Sequence, residues 1–167
     1  MAFVEPTGPA GSTSDVFLSY LAYFRERIIE KITALPPSAL TSSILPSAWT
    51  PLELVKHLTF VEMRWLEWGF EGLPVDEPWG DHFELRWHVT SSESSDSLLA
   101  ALQARGVETR RIVRRHTLLD FGQPSPRWNG AAPPTLERVL FHLLQEYARH
   151  LGHLDIVCEI VNEETGE

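Results

Sequence analysis

Cysteine is nearly absent. Cys158 is the single thiol in 167 residues, so no intrachain disulfide can form, and a reducing, cytoplasmic location is expected. Positive charge is scarce as well. Fourteen Lys and Arg face 23 Asp and Glu, a formal charge of −9 at pH 7. That argues against a nucleic-acid binder, because phosphate neutralisation needs clustered cations. The one basic cluster, Arg110, Arg111, Arg114 and Arg115, falls at helical spacing and reads first as a solvated face. Apolar runs are short and broken by charges, so neither a signal peptide nor a membrane span is expected. No alternating run is long enough to read as a strand, and no internal repeat is convincing.

What is present is a globular composition: 43% hydrophobic residues, with six Trp and eight Phe. The length fits one domain with a full core. Residues 1–12, with Pro6, Gly8, Pro9 and Gly11, read as a flexible N-terminal tail, and residues 13–163 as the single domain. A first helix is predicted from about Ser14 to Ala34, capped by Ser14 or Asp15, with Phe17, Leu21, Phe24, Ile28 and Ile32 on one stripe. Thr50-Pro51-Leu52-Glu53 is the clearest helix start in the chain. Thr50 suits the N-cap, Pro51 the first helical position, and Glu53 completes a capping box. That second helix should reach about Phe70, with Leu54, Leu58, Val61, Trp65 and Trp68 on one face. A third is predicted over Ser92–Thr117, its apolar side being Leu98, Leu99, Leu102, Val107 and Ile112, with Gly106 a place for a kink. A fourth runs from about Thr135 to Val161. The connections 73–91 and 119–134 show no regular pattern and have the length of functional loops. Four long amphipathic helices make the expected fold class all-α, a four-helix bundle.

The fourth helix carries an unusual polar series, His142, Glu146, Arg149, His150 and His153. Glu146 and His150 are four apart, so their side chains stand one above the other on a helix face. Val139, Leu143 and Val157 share that face, which should therefore point inward. A carboxylate and imidazoles against a core are costly unless paired or bound, and a divalent metal is one solution. Zinc and nickel accept such donors. His57, on the flank of the second helix's apolar stripe, is the best third ligand. A hydrogen-bonded boundary cluster is the competing reading of the same spacing.

Two segments carry a resemblance. Thr50-Pro51-Leu52-Glu53-Leu54-Val55-Lys56-His57-Leu58 with Val61-Glu62, and Glu146-Tyr147-Ala148-Arg149-His150-Leu151-Gly152-His153-Leu154-Asp155, resemble the second- and fourth-helix motifs of the DinB/YfiT-like superfamily. The nearest subgroup is the mini-circle-protein-like branch, and the likeness spans about Ser14 to Glu159. It implies an up-down-down-up four-helix bundle, often a homodimer, and a divalent metal, zinc or nickel, held by three side chains. His57 and His150 match two of the family's three ligand positions. Glu146 stands where many members have His, as it does in the related mycothiol-dependent maleylpyruvate isomerases. His153 falls beside the metal shell as an orienter or proton carrier and is the candidate catalytic base. Arg149 is a candidate for binding a carboxylate of substrate or cofactor, although a surface ion pair is the default for such a residue.

The resemblance implies a small-molecule reaction with a low-molecular-weight thiol of the mycothiol or bacillithiol type, as S-transferase or isomerase. Two other readings stand beside it: hydrolysis at the same centre, and a metal-binding stress-response protein without turnover.

Overall fold

Ser12, Thr50 and Ser94 each start a helix by the same device in the computed structural model, which describes residues 5–162. Their hydroxyls accept from the backbone N–H three residues on, of Asp15 at 3.2 Å, Glu53 at 3.3 Å and Ser97 at 3.2 Å. These bonds satisfy donors that a helix N-terminus otherwise leaves open. The first cap is therefore Ser12 rather than Ser14 or Asp15. Residues 1–4 of the expected tail and residue 163 of the expected domain lie outside the described residues.

The helices that follow from these starts are α1 (Thr13–Ala34), a single turn α2 (Pro37–Leu40), α3 (Pro51–Glu62) and α4 (Ser95–Val113). The last is α5 (Leu136–Asn162). α3 does not stop at Glu62 but widens into a π-helix over Met63–Phe70. The structure is mostly helical. The connection 73–91 is not wholly irregular: β1 (His82–Phe83) and β2 (Arg86–Trp87) pair antiparallel, with His82 opposite Trp87. Glu84 and Leu85 between them both have positive φ, the backbone that a two-residue hairpin turn requires. Strands of two residues carry no readable alternation. A 3-10 turn spans Pro126–Trp128. No helix among the described residues is long and apolar enough to cross a membrane.

Packing contacts run from α1 to α5, α5 to α3, α3 to α4 and α4 back to α1. Two expectations change here. Val107 is 72% exposed, while Thr109 takes the inward place between Leu102 and Val113. Val107 lies five residues, about 140° of rotation, beyond Leu102, which turns it to the surface. α3 is buried on nearly all sides, Pro51 to Lys56 without a break, because the hairpin covers what would otherwise be its solvent face.

Three of the charged groups buried along α3 are paired. Glu53 closes the cap at Thr50 and accepts from Arg86 at 2.8 and 2.9 Å. The Lys56 ammonium donates to Asp81, to Glu93 at 2.7 Å and to the His88 carbonyl at 2.8 Å. Glu62 accepts from Arg25 of α1 at 2.6 Å, from Thr109 of α4 and from Tyr147 of α5. One carboxylate thus ties all four long helices. Gly106 makes this geometry available. A Cβ there would meet the Arg25 guanidinium at 2.5–2.8 Å, and α4 runs through the glycine unbroken. Its role is close approach rather than a kink.

Candidate metal centre

The capping box at Thr50 sets where α3 begins, and His57 follows seven residues on, two turns into the helix. α5 crosses it with Glu146 and His150 one turn apart. His57 Nε2 stands 3.3 Å from Glu146 Oε2, and His150 Nε2 stands 3.2 Å from the same oxygen. One donor atom from each of the three lies within 4.8 Å of the others. All three side chains are largely buried, 15%, 14% and 8% exposed respectively.

Burial holds the His57 imidazole below its ordinary pKa, against the opposing pull of Glu146. The contacts from His150 and His57 hold the Glu146 carboxyl far below the usual carboxylate range, although burial opposes them. At neutral pH the cluster therefore presents a carboxylate beside an imidazole lone pair. Those are the forms in which such side chains coordinate. The spacing is also right. Ligands about 2.0–2.1 Å from a tetrahedral zinc ion stand about 3.3–3.4 Å apart, the separation that Glu146 already keeps from both nitrogens. The cluster could hold a divalent ion.

The neighbours orient the donors. His153 Nδ1 lies 3.2 Å from His150 Nδ1, which leaves His150 Nε2 to face Glu146. One of the two Nδ1 atoms donates and the other accepts, so the two tautomers are linked. Burial, His150 and Arg149 all push the His153 pKa down. His153 also lines a small cleft with Ser47, Trp49 and Leu54. Trp49 meets His57 edge-on at 5.2 Å between ring centroids, and Trp87 approaches the same imidazole at 6.1 Å. A larger cavity, lined by Phe70, Glu71, His116 and Phe121, touches none of the three donors.

His57, Glu146, His150 and His153 are thus brought together. Arg149 is not: it is exposed on the outer face of α5, although its charge reaches His153. His142, the first of that polar series, is half-buried, with Nε2 3.4 Å from Glu146 Oε1 and its ring 3.9 Å from Trp65. Cys158 is buried.

Sequence reasoning passed over two residues. Arg64 is 6% exposed and lies over Trp79 and Trp87, at 4.4 and 5.0 Å from the ring centroids. Arg127 lies over Trp65 and Trp128, at 4.6 and 5.3 Å. Arg64 follows His57 by two turns on a buried helix, and that spacing was the available signal. Arg127 sits in a loop and gave none. The Trp128 indole N–H donates to the Gly69 carbonyl at 3.1 Å, across a glycine whose Cβ would lie 2.8 Å from the indole.

A family model described as mycothiol-S-transferase matches residues 16–163, nearly the whole chain. No curated protein matches the sequence.

Proposed function

This chain belongs to the mycothiol S-transferase family, a DinB/YfiT-like family, and from that premise we propose a divalent-metal-dependent enzyme that joins a low-molecular-weight thiol to a small electrophile. The observation that carries the reading is the convergence of His57 Nε2, His150 Nε2 and Glu146 Oε2 in one largely buried cluster. Three protein donors leave positions open for an outside ligand, the arrangement of a catalytic rather than a structural site. The ring of contacts among the long helices supports the up-down-down-up bundle that presents these donors inward.

In this reading a zinc or nickel ion held by the three residues supplies positive charge that favours the thiolate of a bound thiol. The rest of the work falls to the chain. His150 keeps its Nε2 lone pair inward because its Nδ1 is engaged by His153. His150 then donates its Nδ1–H to His153 Nδ1, so neutral His153 carries its own proton at Nε2 and takes the thiol proton at Nδ1, as that bond to His150 opens. Trp49 and Trp87 wall the centre and limit water around the sulfur. The sulfur attacks the electrophilic carbon, a sulfur–carbon bond forms, and the leaving group departs with its electron pair.

The test joins metal analysis to turnover. The purified protein is expected to hold one divalent ion per chain and to conjugate mycothiol to monobromobimane. His57→Ala and His150→Ala should each lose the ion and the activity. Unchanged metal content in both variants would refute the site. A loaded centre without thiol-dependent turnover would favour the non-catalytic binder, and ester hydrolysis without thiol would favour the hydrolase.

A further inference from the structure

Arg64 is a buried cation with nothing to neutralise it. Its Nε and Nη1 are buried and have no hydrogen-bond partner, and no carboxylate among the described residues forms an ion pair with it. Arg127 has its Nε in the same condition, and no ion pair either. The two are near enough that Arg127 adds to the burial which lowers the Arg64 pKa to about 10, with Glu146 opposing. Both charges also act on His142, and that of Arg64 acts on His57. Geometry places them beside the candidate centre: Trp87, under Arg64, also meets His57 at 6.1 Å, and Trp65, under Arg127, meets His142 at 3.9 Å, whose Nε2 is 3.4 Å from Glu146.

Arg64 is thus buried and Arg127 half-buried, and the carboxylate whose charge reaches Arg64 is Glu146, whose Oε2 already serves His57 and His150. Leaving such charges unpaired is costly in a desolvated site. The Trp rings explain how they are held. An aromatic face satisfies the flat side of a guanidinium and leaves the N–H groups at its edge unused. A planar, two-oxygen anion is what such an edge recognises, by paired N–H···O bonds.

We infer that Arg64 and Arg127 form a carboxylate-binding subsite beside the metal centre, so that the electrophile joined to the thiol is a small carboxylic acid. This rests on the reading of that centre as the place of reaction and names the substrate class for it. The carboxylate takes the Arg64 edge, Arg127 closes the other side, and the electrophilic carbon is left toward His57 and Glu146. Arg149, the arginine singled out from the sequence for this task, points away.

The test is calorimetric titration of the purified protein with succinate, and with succinamide as the uncharged shape control. Succinate is expected to bind and succinamide not. Arg64→Met should weaken succinate at least 10-fold. Arg64→Lys should restore only part, because an ammonium lacks the planar fork, and Arg127→Met should also weaken it. Thermal unfolding of each variant checks that it is folded, and metal content is measured on the same samples. Equal binding of succinate and succinamide, or unchanged succinate binding in folded Arg64→Met, would overturn the subsite. Succinate binding that depends on Arg64 in a protein without metal would uphold it and sink the metal reading instead. A full metal complement with no succinate binding would do the reverse.

Discussion

Replacing Gly106 by Ala sets two effects of opposite sign against each other. Helix propensity alone favours the change by about 1 kcal/mol, since glycine is the poorest non-proline residue in a helix interior. The structure says otherwise. The new Cβ would lie 2.5 Å from Arg25 Nη1, 2.6 Å from Cζ and 2.8 Å from Nε, so the guanidinium must withdraw. Its bond to Glu62 is 2.6 Å long, and the two side chains are only 10% and 1% exposed. Breaking a buried pair on one side costs about 3–5 kcal/mol. Thr109 and Tyr147 still donate to Glu62, which argues for the lower part of that range. The net expectation is a loss of about 2–3 kcal/mol, which for a chain this size lowers Tm by about 4–12 °C. Urea and thermal unfolding measure it. The decisive step repeats Gly106→Ala in an Arg25→Met background, where the steric conflict is removed and propensity alone remains. There the alanine should be neutral or stabilising, a reversal of sign. If Gly106→Ala stabilises the parent protein, or costs the same in both backgrounds, the account of α4 as shaped around Arg25 is wrong.

His153→Ala removes the partner of His150 Nδ1 without touching a donor, so metal affinity should fall about 10–100-fold at unchanged stoichiometry, read by competition with a chromophoric chelator. Thr50→Ala deletes the hydroxyl half of the capping box that starts α3 and should cost about 1 kcal/mol, measured by urea unfolding. Although burial alone would raise it, the Lys56 and Thr90 contacts hold the Glu93 carboxyl below its ordinary value. A carboxyl depressed on folding adds stability above its unfolded pKa and loses it as pH falls through the folded value. Glu93→Gln should therefore narrow the stability gap between pH 7 and pH 3, and an unchanged acid limb would count against the Lys56 pairing.

Much of this protein was legible from local chemistry. The Thr50-Pro51-Leu52-Glu53 box announced α3, because capping, the proline φ and the reach of Glu53 all act within four residues. The long helices were visible as three- and four-residue periodicity, and Glu146 with His150 as a pair sharing one helix face. Those are properties of one segment at a time, and a fixed helical geometry settles them. The apolar stripe of the second helix put His57 forward as the partner from another helix, and the resemblance matched it to a ligand position.

The register of one helix against another was not legible, since it depends on every side chain between them. Packing decided that Val107 faces out and Thr109 in, that Gly106 makes room for Arg25, and that Glu62 collects donors from three helices. It also covered α3 with a hairpin too short to show a pattern, burying Lys56 and Arg64 on what a stripe analysis would call a wet face. Arg64 and Arg127 are separated by 63 positions. Only tertiary structure could bring them together and leave Nε and Nη1 of Arg64 and Nε of Arg127 buried without a partner, because a group counts as unpaired only once every neighbour is known.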